Sequence, residues 1–538
     1  ELNNLPLLTG LSGLENITLM DNGFWLINNP LITTLTDLNP ALVINTNEDS
    51  VRIFDNSQLS VCSSPPICNY LTNNPGRAEV HDNDAGCNDI MEITANCGSL
   101  NCTNSIYKTW NGNLNDDWNE PQNWSPSGVP EPCDSVLIPS NLSNYPLLNG
   151  NVLISYLNME YGSMLDQNSY DLTVYGDVNI ISSDIEGAGT LSVKYAANSI
   201  YIESSYFNPK VDIQQYTGSV NFSYSEFYDD VNISDQSSRI MADEFSGNTF
   251  YQNFTIVRNA TNQSAVTYLS NFDDDFIEGD LSITINQAVT FDFFNTTHIG
   301  GNFTINSSFA GYPSTENASF DFISGNNSTV HITKTGSSEL KFGNLSTNKW
   351  GDIILDQHLY INYNASFGLG IVHTDSSKML IFKEYAGISQ TSSGSYVDGP
   401  VRKIGTGSFR FPVGDSIYQA VCDITSPPNS GDSVTVQYFK KNPALNGYDT
   451  SLHAASLTEV SGKEYWSIKY NEGPANGSPE ANAPAGIKVT LSYDSTRSRQ
   501  VNTIYELSVA RWNGSQWVNK GGSAITGDNA QAFITSLN

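Results

Sequence analysis

Positively charged residues are scarce in this sequence. Of its 538 residues, 24 are Lys or Arg and 56 are Asp or Glu, which gives a net charge of −32. A protein that binds nucleic acid needs a basic surface to neutralise phosphates, and docking on anionic lipid needs basic clusters. The composition therefore excludes nucleic acid as a partner and argues against docking on anionic membranes.

Long apolar runs are absent as well. No stretch reaches the ~18 residues that a membrane-spanning helix requires, so we expect no membrane insertion in this segment. Hydrophobic residues still make up 39% of the chain and aromatic residues 11%, which is enough apolar surface to bury in a folded core. No GxSxG, HExxH or P-loop phrase occurs, so the common catalytic signatures find no match.

The shortage of basic residues is confined to one part of the chain. Residues 1–330 contain 7 Lys or Arg against 39 Asp or Glu, whereas residues 331–538 contain 17 of each kind. The whole net charge of −32 therefore lies in the first three-fifths of the sequence. A change of this size indicates separate modules, and it makes the N-terminal part a poor partner for polyanions.

The first hundred residues repeat with a period of 27. LINN begins at Leu26, IFDN at Ile53 and VHDN at Val80. This pattern is typical of a leucine-rich repeat, in which a short strand is followed by an Asn turn and a return segment. We expect the last Asn of each phrase to bond free backbone groups of the neighbouring coil.

Six of the seven cysteines lie within 72 residues. No CxxC pair occurs among them, so a disulfide-closed cap is a better interpretation than a zinc site. Disulfides in turn favour an oxidising or extracellular compartment. Six cysteines allow 15 pairings, of which we favour Cys62–Cys87, Cys68–Cys97 and Cys102–Cys133. The remote Cys422 is interpreted as a buried small hydrophobe.

Short β runs with a recurring phrase follow from about residue 134. DDVNI, QNFTI, GDLSI and GNFTI place Asp230, Asn253, Asp280 and Asn302 at equivalent positions, 23, 27 and 22 residues apart. Coils of that length, each with an alternating strand after a Gly or Asp corner, predict a right-handed parallel β-helix. Three tryptophans ahead of it are predicted to be buried anchors that seal the end of the sheet stack: Trp110, Trp118 and Trp124.

The C-terminal part has clean alternation between strands and turns, which predicts an antiparallel β-sandwich. The predicted fold is therefore mostly all-β, in three parts. These are a leucine-rich-repeat-like solenoid end with a Cys-rich cap (1–104), a Trp-rich lead segment with a parallel β-helix (105–394) and a β-sandwich module (395–538). Since no cap precedes the first repeat, we expect the chain to be a segment of a longer protein.

Several longer phrases accompany these modules: WNG…DW…NW (110–124), GSYVDGPVRKIG (394–405), FRFPVGD (409–415), EYWSI (464–468) and VARWNGSQWVNKGG (509–522). Together with the repeat and the cysteine cap, they resemble the large multi-domain secreted surface proteins of Bacteroidota that leave the cell through type IX secretion. The resemblance covers nearly the whole chain. It implies an extracellular protein, attached to the cell surface or secreted, of the adhesin or gliding-associated type, and it supplies no catalytic motif.

Acidic loops are the candidate cation ligands and the candidate catalytic groups. Carboxylates suit Ca²⁺, so a structural calcium is the one cofactor that we consider. The favoured ligands come from one stretch: Asp273, Asp274, Asp275, Glu278 and Asp280. The weaker alternative is the stretch 82–89 in the cysteine cap, where turns also explain the acidic residues. A glycoside hydrolase would need two carboxylates ~5–9.5 Å apart, drawn from the favoured stretch or from Asp229 and Asp230. A lyase would need basic residues that this region lacks, and we expect no enzyme.

Exposed tyrosines are the candidate ligand-binding residues, because aromatic rings stack on sugars while the hydroxyl bonds to them. We predict a glycan-binding face from five of them: Tyr201, Tyr206, Tyr216, Tyr224 and Tyr228. The sequence thus favours a non-enzymatic, rigid stalk or adhesin segment that attaches to surfaces, glycans or matrix proteins. Two alternatives stay open, a subunit of a self-associating extracellular filament or sheath and a β-helix enzyme that degrades polysaccharide.

Overall fold

The computed structural model describes residues 1–14, 16–45, 51–73, 78–97, 105–309, 313–325, 329–336, 338–471 and 486–537. The fold is nearly all-β, with 46% strand and 4% helix, and it contains a parallel β-solenoid of about 17 turns. The predicted fold class is therefore confirmed. The chain divides into two compact units, Glu1–Ser219 and Val220–Asn538, each described by itself below. In the described part of the chain, no helix is long and apolar enough to cross a membrane.

The first unit begins with short parallel coils. Leu26, Ile53 and Val80 occupy equivalent positions on paired strands, so the 27-residue repeat corresponds to one coil. One four-stranded and one two-stranded sheet form this part: Leu2–Asn3, Phe24–Ile27, Val51–Phe54 and Ala78–His81, with Leu19–Met20 and Val43–Ile44 beside them. Two helices follow within the cysteine-rich segment, Pro65–Asn73 and Ile90–Asn96.

The predicted asparagine ladder is present inside these coils. The amide oxygen of Asn56 accepts from the backbone N–H of Asn29 at 3.0 Å, and that of Asn83 accepts from the N–H of Asn56 at 3.1 Å. The Asn56 amide group also donates to the carbonyl of Leu26 at 3.0 Å. Asn29 and Asn56 are fully buried, so these side chains replace water for backbone groups that the turn would leave unpaired.

Two of the three predicted disulfides are confirmed, Cys62–Cys87 and Cys68–Cys97. Cys68 in the first helix is bonded to Cys97, which caps the end of the second helix, while Cys62 and Cys87 lie just before these two helices. Cys133 is disulfide-bonded too, while Cys102 lies outside the described residues. Cys422 is a buried free cysteine, as predicted, and burial raises the pKa of its thiol.

The solenoid coils of the first unit each contribute up to three short strands. The strands stack in three columns with parallel pairing between coils. The first column comprises Tyr107–Trp110, Trp124–Ser125 (antiparallel), Ser135–Ile138, Tyr156–Met159, Val178–Ile181 and Ser199–Glu203. The second comprises Val152–Ile154, Leu172–Val174, Thr190–Lys194 and Lys210–Tyr216, and the third Met164–Asp166, Asp184–Glu186 and Tyr206–Phe207.

The three tryptophans close the end of this stack, as predicted. Trp110, Trp118 and Trp124 are at most 2% exposed, and both Trp110 and Trp118 meet Trp124 edge-on. The indole N–H of Trp110 donates to the carbonyl of Asn144, and that of Trp124 to the carbonyl of Trp118, each at 2.8 Å. Burial with satisfied indole donors excludes these rings from sugar stacking.

The second unit, taken by itself, also has three columns of strands, with stacked phenylalanines inside, for example Phe250 on Phe254 at 4.1 Å. The first column comprises Ser219–Ser223 (at the unit boundary), Asp243–Ser246, Thr267–Leu269 and Phe291–Phe293. The second comprises Val231–Asp235, Phe254–Arg258, Leu281–Ile285, Phe303–Ser307 and Thr329–Thr335. The third comprises Glu226–Phe227, Thr249–Phe250, Asp275–Ile277, Thr296–Ile299 and Ser319–Ile323.

Two long strands, Leu340–Leu355 and Leu359–His373, continue the parallel pairing, which extends as far as Val413–Asp415. Four short strands come after the two long strands and before Val413–Asp415: Leu380–Phe382, Gly387–Gln390, Ser395–Asp398 and Val401–Ile404. Antiparallel pairing then takes over, as predicted for the C-terminal part. Three antiparallel strands continue the large sheet: Tyr418–Gln419, Ser433–Phe439 and Tyr465–Asn471. A separate five-stranded sheet contains Phe409–Phe411, Cys422–Ile424, Val489–Asp494, Gln531–Thr535 and Ala524–Gly527. A third, two-stranded sheet pairs Ala510–Trp512 with Trp517–Asn519.

A second ladder runs along the coils of this unit. The carboxylate of Asp230 accepts from the backbone N–H of Asn253 at 3.1 Å, and the amide oxygen of Asn253 accepts from that of Asp280 at 2.9 Å. Asp280 in turn accepts from the backbone N–H of Asn302 at 2.7 Å, and the amide oxygen of Asn302 accepts from the N–H of His331 at 2.8 Å. The four positions that the sequence placed in register therefore hold successive corners together.

Candidate functional site

The acidic stretch that the sequence offers as calcium ligands is divided among separate local contacts in the structure. Asp280 belongs to the ladder, where its second oxygen accepts from the side chain of Asn302. Asp273 accepts from the N–H of Asp274 next to it, as Asp229 does from that of Asp230. No three His, Cys, Asp or Glu side chains converge to hold a metal ion in the part of the chain that the structure describes.

The prediction that Asp275 is a ligand at the surface is wrong, because its side chain points into the core rather than to solvent. Its carboxylate is fully buried and accepts from the backbone N–H of Asn248 at 2.8 Å and from that of Ser270 at 2.7 Å. Burial raises the pKa of this carboxyl to about 6, against the lowering effect of those donors. Asp275 continues an inner polar column with Asn248, and it is unavailable to a ligand on the surface.

The predicted tyrosine face is wrong for one of its five members. Tyr216 is fully buried, whereas Tyr206, Tyr224 and Tyr228 are 43–55% exposed. In strand Lys210–Tyr216 the alternation breaks at the last step, because Gln215 has a φ of 54° and turns Tyr216 inward. In the first unit, Tyr206 is exposed and Tyr201 is partly buried, with its hydroxyl donating to Glu203 at 2.7 Å.

The other two tyrosines lie on the outer side of the third column of the second unit. We call this surface the aromatic–acid face. Strand register places Glu226 beside Thr249, Thr249 beside Phe276, and Phe276 beside His298, which in turn pairs with Asp321. Successive strands are about 4.8 Å apart. The face is defined by nine residues: Tyr224, Glu226, Tyr228, Tyr251, Asp274, Phe276, Glu278, His298 and Asp321.

At one end of this face, two tyrosines form a fixed platform. The rings of Tyr228 and Tyr251 stack at 4.5 Å with 17° between their planes. Both hydroxyls donate to the same oxygen of Glu226, at 2.9 and 3.0 Å. Burial and the Glu226 carboxylate raise the pKa of Tyr251. The shared acceptor holds the two rings in one orientation, so a ligand would meet them already aligned.

Tyr224 extends the platform because a glycine makes room for it. A Cβ at Gly247 would lie 2.7 Å from a ring carbon of Tyr224, closer than any side chain tolerates. Gly247 also has a φ of 70°, which disfavours other residues. Glycine on this coil therefore lets the Tyr224 ring lie against the neighbouring backbone while 55% of the residue stays exposed.

At the other end, a histidine lies between two acids. His298 stacks on Phe276 at 4.2 Å with 3° between the rings. Its Nδ1 lies 3.1 Å from Asp321 and its Nε2 lies 3.4 Å from Asp274. Burial lowers the pKa of His298, but the hydrogen bonds and charges of the two carboxylates outweigh that effect and raise it. Asp321 also accepts from the side chain of Asn348 at 2.9 Å.

Glu278 has a different environment from the other acids of the face. Its backbone N–H donates to the carbonyl of Phe250, which places Glu278 on the strand next to Tyr251. Within the described part of the chain, its side chain has no hydrogen bond or ion pair, although Glu226, Asp274 and Asp321 are each bound to a neighbour on the face. Glu278 thus offers a carboxylate beside an aromatic platform.

The face carries no compensating positive side chain apart from His298. The sequence contains no Lys or Arg between Arg258 and Lys334. Arg239 and Arg258 are fully buried in ion pairs with Asp235 and Asp243 inside the solenoid. The buried ammonium of Lys349 donates to the carbonyl of Gly300 at 3.1 Å. The outer surface therefore combines aromatic rings with an excess of negative charge.

Most residues of the face were missed at the level of sequence, although the repeat contains the signal. Two positions before the ladder residues Asp230, Asn253 and Asp280 stand Tyr228, Tyr251 and Glu278. Glu226, Thr249 and Phe276 come four positions before the same three ladder residues, and His298 comes four positions before the fourth ladder residue, Asn302. Reading the phrases in register, rather than searching for clustered tyrosines, identifies the surface.

Comparison with known proteins finds a similarity for these coils but indicates no activity. A family described as a domain of unknown function, DUF8693, matches residues 109–347, which include the Trp-rich segment and the whole aromatic–acid face. No curated protein and no solved structure matches the chain.

Proposed function

We propose that this chain is a segment of a non-enzymatic extracellular surface protein, a stiff shaft that attaches to glycans through the aromatic–acid face. The observation that carries the proposal is the pre-aligned pair Tyr228 and Tyr251, both bonded to Glu226 on adjacent coils. Partly exposed aromatic rings backed by fixed hydrogen-bonding groups suit the apolar faces and hydroxyls of sugars.

Two further features support an extracellular role. The disulfides of the cap are compatible with an oxidising compartment. The resemblance to secreted surface proteins of Bacteroidota points to the same location and to attachment. A solenoid whose coils contact only their neighbours provides length and stiffness along one axis, which suits a binding surface held away from a cell.

The enzyme alternative has weaker support in this geometry. Of the acids considered for hydrolysis, Asp230 and Asp280 hold coil corners and Asp275 is buried. Asp274 and Asp321, of which Asp321 is mostly buried, both contact His298. A self-associating filament remains the other alternative, and the binding assay below separates it.

The test is retention of the purified chain on insoluble cellulose, chitin, partly deacetylated chitin and pectin, with calcium or with a chelator. New reducing ends are measured in the same wells. We expect retention on at least one of the first three, none on pectin, and no release of ends. Removing a stacking ring costs about 1–3 kcal/mol, so Y251A and F276A should reduce retention about tenfold.

The matched control is F294A, because Phe294 is 53% exposed but follows a strand of the first column. It should bind like the wild type. Release of reducing ends that is lost in D274N would overturn the non-enzymatic proposal. Absence of retention on every polysaccharide, with concentration-dependent association of the chain itself, would overturn it in favour of a filament subunit. Loss of retention in the chelator would favour the predicted calcium.

A further inference from the structure

The charge of the aromatic–acid face restricts what it can bind. Four carboxylates lie on it, and His298 faces two of them, Asp274 and Asp321. Glu226 and Glu278 therefore remain as uncompensated negative groups. A glycan with carboxylate or sulfate groups would bring like charges together at close range, which opposes binding. Charge complementarity favours a ligand with positive groups.

The arrangement around Glu278 matches what an ammonium group requires. Tyr251 directly follows strand Thr249–Phe250, and Glu278 directly follows the adjacent strand Asp275–Ile277 of the same column. Phe276 lies on that second strand, two residues before Glu278. An ammonium group is attracted to the face of an aromatic ring and binds a carboxylate by charge-assisted hydrogen bonds. Among the described residues, no hydrogen bond or ion pair holds the Glu278 side chain that an ammonium group would have to replace.

The face also has the form of a site for a polymer. Aromatic and acidic groups recur on five successive coils, from Tyr228 through Tyr251, Phe276 and His298 to Asp321. These coils are about 4.8 Å apart, so the face extends over several sugar rings. A chain of sugars can contact the tyrosine platform at one point and an acid at another, and weak contacts add up along one molecule.

We infer that the aromatic–acid face binds polysaccharides containing amino sugars with free ammonium groups, with Glu278 as the carboxylate that receives the ammonium and Tyr228 and Tyr251 as the stacking platform. This inference rests on the proposed function, because it names the ligand class of the same surface. It distinguishes deacetylated amino-sugar polymers from neutral and acidic polymers.

The test is calorimetric titration of the full chain with three hexasaccharides of matched length. They are the glucosamine hexamer, the N-acetylglucosamine hexamer and the galacturonic acid hexamer, each at pH 6 and at two salt concentrations. We expect the glucosamine hexamer to bind at least tenfold more tightly than the N-acetylated one at low salt. Its advantage should shrink as salt rises, because exposed charges are screened. The galacturonic acid hexamer should not bind.

The variant E278Q keeps the size of the side chain and removes its charge. We expect it to weaken binding of the glucosamine hexamer about tenfold and binding of the N-acetylated hexamer much less, because the lost charge acts on the ammonium group. The control is E160Q, at an exposed glutamate of the first unit, which should change neither. The double variant Y228A/Y251A should weaken both ligands.

Each outcome separates the two proposals. Equal binding of the glucosamine and N-acetylated hexamers, or an E278Q variant that binds glucosamine like the wild type, would overturn the inference and leave glycan attachment intact. Binding of the galacturonic acid hexamer would also overturn the inference, because the negative charge of the face should repel a polyanion. If no hexamer binds and the polysaccharide assay also shows no retention, both the inference and the proposed function fail.

Discussion

Replacing Arg258 by methionine is expected to destabilise the solenoid around strand Phe254–Arg258 by about 3–5 kcal/mol. Arg258 is fully buried, and its Nε lies 2.9 Å from Asp235. Arg239 pairs with Asp243 in the same cluster. Burial raises the pKa of Asp235 even though both arginines oppose that rise. Methionine fills a similar volume but leaves the buried carboxylate without its main partner, which is the costly case for a buried ion pair.

The measurement is guanidinium unfolding, with hydrogen exchange of the amides of that strand as a local readout. The control is R499M, because Arg499 pairs with Glu459 at the surface and both side chains are more than half exposed. An exposed pair contributes about 0–1 kcal/mol, so this variant should unfold like the wild type. A loss below about 1 kcal/mol in R258M would mean that water reaches the cluster and that the solenoid interior is not packed as described.

The second large effect is a pH dependence that one buried carboxyl introduces. The pKa of Asp275 rises from 3.8 to about 6 in the folded chain, chiefly because the group is fully buried. A carboxyl whose folded pKa is raised favours folding while it is protonated. As pH increases from about 4 to 6, the unfolded state loses its proton first, so stability falls. A shift of about two units corresponds to roughly 3 kcal/mol.

We therefore expect the Asp275 carboxyl to lower the free energy of unfolding of the wild type by about 3 kcal/mol between pH 4 and pH 7. The variant D275N should lack this decrease. Asparagine keeps the size of the side chain without its titration, and Asn248 is its neighbour in the same inner column. Urea unfolding at four pH values measures the difference between wild type and variant, in which the other titrating groups cancel. D230N is the control, because Asn253 and Asn302 already serve at that ladder position. Parallel curves for D275N and wild type would contradict the burial of this charge.

The ladders were predictable from sequence because a solenoid repeats its corner chemistry. Each corner leaves backbone groups that need a partner, so Asn and Asp recur at one position per coil, as at Asn29, Asn56 and Asn83. The disulfides followed from the clustering of cysteines, and the buried tryptophans from their turn-rich spacing. These features depend on local pattern alone, which a single sequence contains.

The binding face was harder to predict, because side-chain direction depends on single backbone angles and on coil length. Gln215, with its positive φ, turns Tyr216 into the core, and no residue type announces that change. Asp275 lies in the middle of an acidic run, yet the strand that begins there directs it inward. His298 and Phe276 are 22 residues apart and stack only because the coil between them has that length.

Footprinting by hydroxyl radicals, with and without soluble, partly deacetylated chitin, tests the central claim that the aromatic–acid face is the binding surface. The account predicts that bound polysaccharide lowers the oxidation of Tyr228, Tyr251 and Phe276. Oxidation of Tyr385 and Tyr505, which are 88% and 78% exposed and lie outside the face, should stay unchanged. Protection confined to residues outside the face, or unchanged oxidation of Tyr251 in the bound protein, would contradict it.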